Sequence, residues 1–202
     1  MQQTIFAFLG VMILMALGFN QQRRKMNAQD SMIDQEIEIM ANGMAMHVIE
    51  FAGARSFDAR TVPLELQTNG LPLSDAEFSP RSSWAVTDDY TYACDLVQPF
   101  MSGPTCDDMS DLNMAPSLWR PVNFVGRDGK TINLDAHIEV YYVDDTNPDV
   151  ELPAASTSNF KKVIVTIRSD DMKAKGQHEN GLLTIERVFA YNQERESRRA
   201  GL

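Results

Sequence analysis

The sequence has little of what enzymes and redox proteins use. It has three histidines, His47, His137 and His178, which are far apart along the chain. It has no phosphate-binding loop, no Gly-x-Ser-x-Gly and no His-Glu-x-x-His. We therefore expect neither an enzyme nor a bound cofactor.

Cysteine is scarce, since only Cys94 and Cys106 occur. Eleven residues rich in turn formers separate them. A disulfide at this spacing would close a surface loop and contribute about 3 kcal/mol. We predict this disulfide and with it an oxidising compartment; two unrelated reduced thiols are the alternative.

Basic residues are fewer than acidic ones, at 18 against 28, which gives a net charge of −10. An acidic protein repels phosphate backbones, so we expect no nucleic-acid partner. The segment CDDMSDLN offers Asp107, Asp108 and Asp111 as weak candidates for calcium ligands. It lacks the spacing and central glycine of an EF-hand loop, and we predict an ordinary acidic turn without a metal.

The first part of the chain lacks both charge and proline. Ile5 to Phe19 is a run of fifteen residues without a polar side chain, and Met1 to Thr4 extend it towards the roughly 20 that cross a bilayer as a helix. Because Gln2 and Gln3 precede the run where a secretory signal carries positive charge, the pattern favours a retained membrane anchor.

The next residues have a helical period of apolar side chains, and no proline interrupts residues 1 to 52. We therefore predict one continuous helix over residues 1–53, with an apolar part at 1–25 and an amphipathic part at 26–53. The predicted buried stripe of the amphipathic part consists of Ile33, Ile37, Met40, Met44, Val48 and Phe51.

The rest of the chain divides into three parts. Residues 54–121 contain seven prolines and no sustained period, which predicts an irregular connection held by the cysteine loop and by Trp84, Tyr90, Tyr92 and Trp119. Residues 122–192 contain β-branched and aromatic runs with partial alternation and an Asp-Gly turn, which predicts an antiparallel sheet. Residues 193–202 form a charged tail. The predicted fold class is α+β, with a long N-terminal helix packed on a C-terminal antiparallel sheet.

This layout resembles the type IV pilin superfamily, including the pseudopilins of type II secretion. The resemblance covers the whole chain as architecture: an apolar half-helix, an amphipathic half-helix, a connecting region and an antiparallel sheet. Met1 matches the residue type that these proteins carry first, whereas Ile5 stands where they have a glutamate. The helix-breaking proline that they have near residue 22 is absent.

The resemblance implies a structural subunit of an extracellular, pilus-like filament at the cell surface. Its membrane-anchored precursor would be held in the inner membrane until pilus or secretion machinery assembles it into a helical homopolymer. The heads would lie outside, and bundled helices would form the core. The implied packing residues of the filament core are Ile5, Phe6, Phe8, Leu9, Val11, Met12, Leu14, Met15, Leu17 and Phe19.

Charge placement keeps a second interpretation open. Arg23, Arg24 and Lys25 follow the apolar run, and no Lys or Arg precedes it. The positive-inside rule would then place the head in the cytoplasm, and removal of a basic leader would reverse that orientation. The alternative is a single-pass, membrane-anchored envelope protein whose head binds a partner in a secretion or assembly machine. A membrane-tethered hydrolase that uses unrecognised acids is a third interpretation, and loss of activity on mutating Asp107 or Asp111 with assembly intact would support it.

Overall fold

The computed structural model describes residues 2–62, 74–84, 108–125, 129, 131–170, 172 and 181–200. For residues 2–9 the description covers the helical backbone only. The chain divides into two compact units, Met1–Met40 and Ala41–Leu202.

The N-terminal helix α1 spans Gln2–Ala54 and has 53 residues. The prediction of one continuous helix is therefore confirmed. Proline, which would remove a helical hydrogen bond, does not occur anywhere in this segment. The helix ends where Arg55 N–H donates to the Ala52 carbonyl at 3.0 Å, a tightened last turn that satisfies one of the terminal carbonyls.

Four antiparallel strands follow in the second unit: β1 (Arg120–Val125), β2 (Thr131–Tyr142), β3 (Phe160–Arg168) and β4 (Leu182–Ala190). Their order in the sheet is β1-β2-β3-β4, a simple meander. The predicted α+β class is confirmed. Gly129, between β1 and β2, has a φ of 79°, a conformation that favours glycine.

The twelve-residue strand β2 runs through polar residues without a break. Asp135 and His137 do not interrupt it, because both lie on the face away from the core residues Leu134, Ala136 and Ile138 and find polar partners there.

The core of the second unit lies on one face of the sheet. In β3, Val163, Val165 and Ile167 are fully buried, as the alternation predicted. The part of α1 within this unit contributes Ala41, Met44, Ala45, Val48, Ile49 and Ala52, all buried. Small residues on this helix face permit close packing: a Cβ on Gly53 would lie 2.8 Å from Cε1 of Phe189 on β4.

Short 3-10 turns make up much of the described connection between α1 and β1. They lie at Ala59–Thr61, Asp75–Glu77, Arg81–Ser83 and Met109–Leu112. The chain continues after β4 into a short helix α2, Gln193–Ala200, within the segment for which the sequence indicated only a charged tail. Its residues Gln193, Glu194, Arg195 and Arg198 are exposed, whereas Glu196 is buried.

Candidate functional site

The first candidate site is the apolar segment of α1, residues 10–22. Its large side chains are exposed: Leu14 is 70% and Phe19 is 69% exposed. The other described residues of the predicted filament core, Val11, Met12, Met15 and Leu17, are exposed as well. The side chains of Ile5, Phe6, Phe8 and Leu9 lie outside the described residues.

This segment has no charged residue before Arg23. A Cβ added at Gly10 or Gly18 would meet nothing within 4 Å. Within the part of the chain that the structure describes, no helix has the length and apolar character needed to cross a membrane.

The predicted stripe of the amphipathic half-helix divides in two. Ile37, Met44 and Val48 are buried, and Met40 and Phe51 are half-buried. Ile33 is 41% exposed. The stripe is therefore buried or half-buried from Ile37 onward, and Ile33 lies on the surface.

The second candidate site is a buried polar centre, which we call the Lys161 centre: Lys161, Asp58, Tyr142, Ser110 and Asp108. It is built from three parts of the chain. The register of the sheet places Tyr142 on β2 directly opposite Lys161 on β3. Asp58 and Asp108 each begin a 3-10 turn, and each carries a capping box in which its side chain accepts backbone N–H groups of that turn.

Three hydrogen bonds surround the Lys161 ammonium. Nζ donates to the carbonyl of Phe57 at 2.6 Å, to Oγ of Ser110 at 2.9 Å and to Oδ2 of Asp58 at 3.2 Å. The side chains of Lys161 and Asp58 both have 0% exposure. A fully buried lysine is rare, and here each of its three donors has an acceptor.

The two carboxylate oxygens of Asp58 have different surroundings. Oδ1 accepts the backbone N–H groups of Arg60 (3.2 Å) and Ser79 (3.1 Å). Oδ2 accepts the hydroxyl of Tyr142 at 2.7 Å in addition to the Lys161 ammonium. Four donors thus point at one carboxylate.

Aromatic rings enclose the ammonium. Nζ of Lys161 lies 4.9 Å from the ring centroid of Phe57, 4.7 Å from that of Trp84 and 4.8 Å from that of Tyr142. Cation–π attraction offsets part of the cost of removing the charge from water. The rings also keep water away from the Lys161–Asp58 pair.

Burial and neighbouring charges shift the pKa values of the centre. Burial lowers the pKa of Lys161, against the opposing effect of Asp58 and Asp108. Burial alone would raise the pKa of Asp58, but Lys161, the Tyr142 hydroxyl and the two backbone N–H groups together lower it. Asp108 has fewer donors, and burial raises its pKa to about 6.

The sequence pattern did not indicate this centre. Lys161 opens the run KKVIVTIR, and a lysine at a strand end usually lies in solvent. One signal was available: Lys161 has the same strand parity as Val163, Val165 and Ile167, which places its side chain on the core face.

The other predicted site residues are distributed as follows. Cys94 and Cys106 both lie outside the described residues, and so do Asp107, Tyr90 and Tyr92. Asp108 and Asp111 close the capping box of one 3-10 turn. No group of three or more potential metal ligands occurs among the described residues.

Trp84 borders the Lys161 centre, and Trp119 stacks on Arg168 with 4.2 Å between the guanidinium carbon and the ring centroid.

Comparisons with known proteins give no relative for this chain: no family model, curated protein or solved structure matches it.

Proposed function

We propose that the protein is a filament-forming structural subunit that assembles through its N-terminal helix, in the manner of a pilin. The observation that carries the proposal is the exposed apolar segment of α1. Most residues from Val11 to Phe19 are large, apolar and exposed to solvent. The same helix continues without a break to its buried residues between Ala41 and Ala52.

An exposed apolar surface of this kind is unfavourable in water unless a partner covers it. Contiguous apolar area beyond a few hundred Å² marks a region that binds a partner or a membrane. Copies of the same helix could cover one another and leave the acidic heads outside, because small residues such as Gly10 and Gly18 permit close helix approach. A bilayer would cover the segment before assembly. Extracellular exposure and assembly by dedicated machinery belong to the same proposal.

The competing proposal is a membrane-anchored protein whose head binds a partner. The observation that favours it is the cluster Arg23, Arg24 and Lys25 directly after the apolar segment. Basic residues at a membrane border favour the cytoplasmic side.

Electron microscopy of the purified full chain after detergent removal tests the proposal. We expect helical filaments from the wild type and none, or far fewer, from Leu14→Gln and Phe19→Gln. The matched control is Ile39→Gln, because Ile39 lies on the same helix with 70% exposure, equal to that of Leu14, but outside the apolar segment. Circular dichroism should show that all three variants keep a folded head.

A wild type that enters lipid vesicles as a monomer and forms no filament would contradict the filament proposal and favour the anchored module. Equal filament loss in Ile39→Gln would show that the effect is not specific to the apolar segment.

A further inference from the structure

The structure brings an amine and a carboxyl group together in a dry pocket, far apart in the chain. Nζ of Lys161 lies 3.2 Å from Oδ2 of Asp58, and the two residues are 103 positions apart. Both side chains are fully buried. Neither group is needed for the proposed filament function, so the chemistry of this pair is independent of whether filaments form.

We propose that Lys161 and Asp58 condense to an intramolecular amide, an isopeptide bond that joins the segment after α1 to the inner strand β3. Complete burial of both side chains removes the hydration of the two charges and so favours the uncharged reactants. In a medium of low dielectric constant the ion pair can transfer one proton and become an amine and a carboxylic acid.

The two oxygens of Asp58 are already differentiated for the reaction. Oδ1 sits between the N–H groups of Arg60 and Ser79, so it would remain as the amide oxygen and carry the negative charge of the tetrahedral intermediate. Oδ2 faces the Tyr142 hydroxyl and Nζ, which are the proton donors that it needs in order to leave. The geometry therefore separates the oxygen that stays from the oxygen that departs.

The atoms balance without any further reactant. The nitrogen of Lys161 attacks Cγ of Asp58, the C–N bond forms and the bond from Cγ to Oδ2 breaks. Two of the three ammonium protons end on Oδ2, which leaves as water, and the third remains on the amide nitrogen. No oxidation or reduction takes place.

Asp108 is positioned to carry a proton during these steps. The Ser110 hydroxyl contacts Nζ at 2.9 Å, and the Ser110 side chain also hydrogen-bonds to the carboxyl of Asp108. The raised pKa of Asp108, about 6, allows it to accept and return a proton near neutral pH. It acts through Ser110 and is a positioning residue.

Intact mass spectrometry of the full chain, reduced and alkylated to remove any contribution from Cys94 and Cys106, tests the proposal directly. We expect the wild type to be lighter than its sequence by the mass of one water molecule. Trypsin should fail to cut after Lys161, and tandem spectra should show one branched peptide that contains both Asp58 and Lys161.

Variants identify the two residues that form the bond. Lys161→Met and Asp58→Ala should each have the full sequence mass, whereas Lys162→Met should retain the loss of water. Lys162 is the matched control because it neighbours Lys161 but points to the opposite face, where Glu186 and Asp149 bind it. Asp108→Asn should slow formation at least tenfold in freshly refolded protein.

A wild-type mass equal to the sequence mass after prolonged incubation of the folded protein would overturn the proposal. This outcome needs no variant to fold. A loss of water that persists in Lys161→Met would place the modification elsewhere and would overturn it as well. An unchanged rate in Asp108→Asn would remove Asp108 from the mechanism.

Discussion

Asp108 is a buried acid, and burial destabilises its charged form in the folded protein. Replacing Asp108 with asparagine should therefore remove its contribution to the pH dependence of the unfolding free energy. Asp108 is 4% exposed, and burial raises its pKa from 3.8 to about 6. Asparagine keeps the side-chain oxygen that caps the 3-10 turn at Met109–Leu112, and it is a preferred N-cap residue. The substitution therefore changes charge with little change in shape.

The raised pKa of Asp108 determines the direction and the magnitude of this pH dependence. The folded state binds the Asp108 proton more tightly than the unfolded state does, so this group's contribution to stability is greatest below about pH 4 and falls as the pH rises through about 6. The gap between 3.8 and about 6 corresponds to a loss of about 3 kcal/mol by neutral pH. Asp58, whose pKa is lowered, acts in the opposite direction and only below its ordinary value.

Urea unfolding between about pH 4 and pH 7 measures the effect. We expect the wild type to lose about 2.5 kcal/mol more of its unfolding free energy over this range than Asp108→Asn loses. The measurement uses freshly refolded protein, before a covalent link between Lys161 and Asp58 forms, so that Lys161 keeps the charge that acts on Asp108. Asp149→Asn is the control, since it removes one carboxylate whose side chain is 82% exposed.

Parallel pH profiles for the wild type and Asp108→Asn would refute the reasoning. They would mean that the Asp108 carboxyl is ionised in the folded state as easily as in water, because Lys161 compensates the whole cost of burial.

Three further outcomes are expected in denaturant unfolding at neutral pH. Lys161→Met should lower the unfolding free energy by at least about 3 kcal/mol, because it leaves the Asp58 carboxylate buried without its counter-ion; a loss below about 1 kcal/mol would contradict this. In freshly refolded protein, before a link to Asp58 forms, Tyr142→Phe should cost about 1–3 kcal/mol, because one donor to Asp58 disappears, and an unchanged midpoint would argue against that hydrogen bond. Ile49→Ala, in the helix core, should cost about 2–5 kcal/mol, whereas Met46→Ala, 45% exposed, should cost less than about 0.5.

The sequence predicted those parts of the fold that repeat a local pattern. The apolar run and the spacing from Ile33 to Phe51 indicated α1, and the alternation of Val163, Val165 and Ile167 indicated which face of β3 is buried. These signals are local, because neighbouring residues report on the same helix face or strand face. Ile33 shows what such local signals cannot predict. It continues the helical period, but it is exposed because α1 becomes buried only from Ile37 onward.

The Lys161 centre could not be predicted in the same way. Its groups come from two 3-10 turns and two strands, and the contact from Lys161 to Ser110 spans 51 residues. Strand parity could place Lys161 on the core face, but nothing local indicates that Asp58 and Phe57 would meet it. Only the assembled sheet and turns bring these residues together.

The short path from α1 to the sheet has a mechanical consequence. The helix ends at Ala54, Ser56 forms a parallel bridge with Asp108, and Asp58 already binds Lys161 on β3, an inner strand. A force applied along α1 would therefore reach the sheet within four residues of the end of the helix.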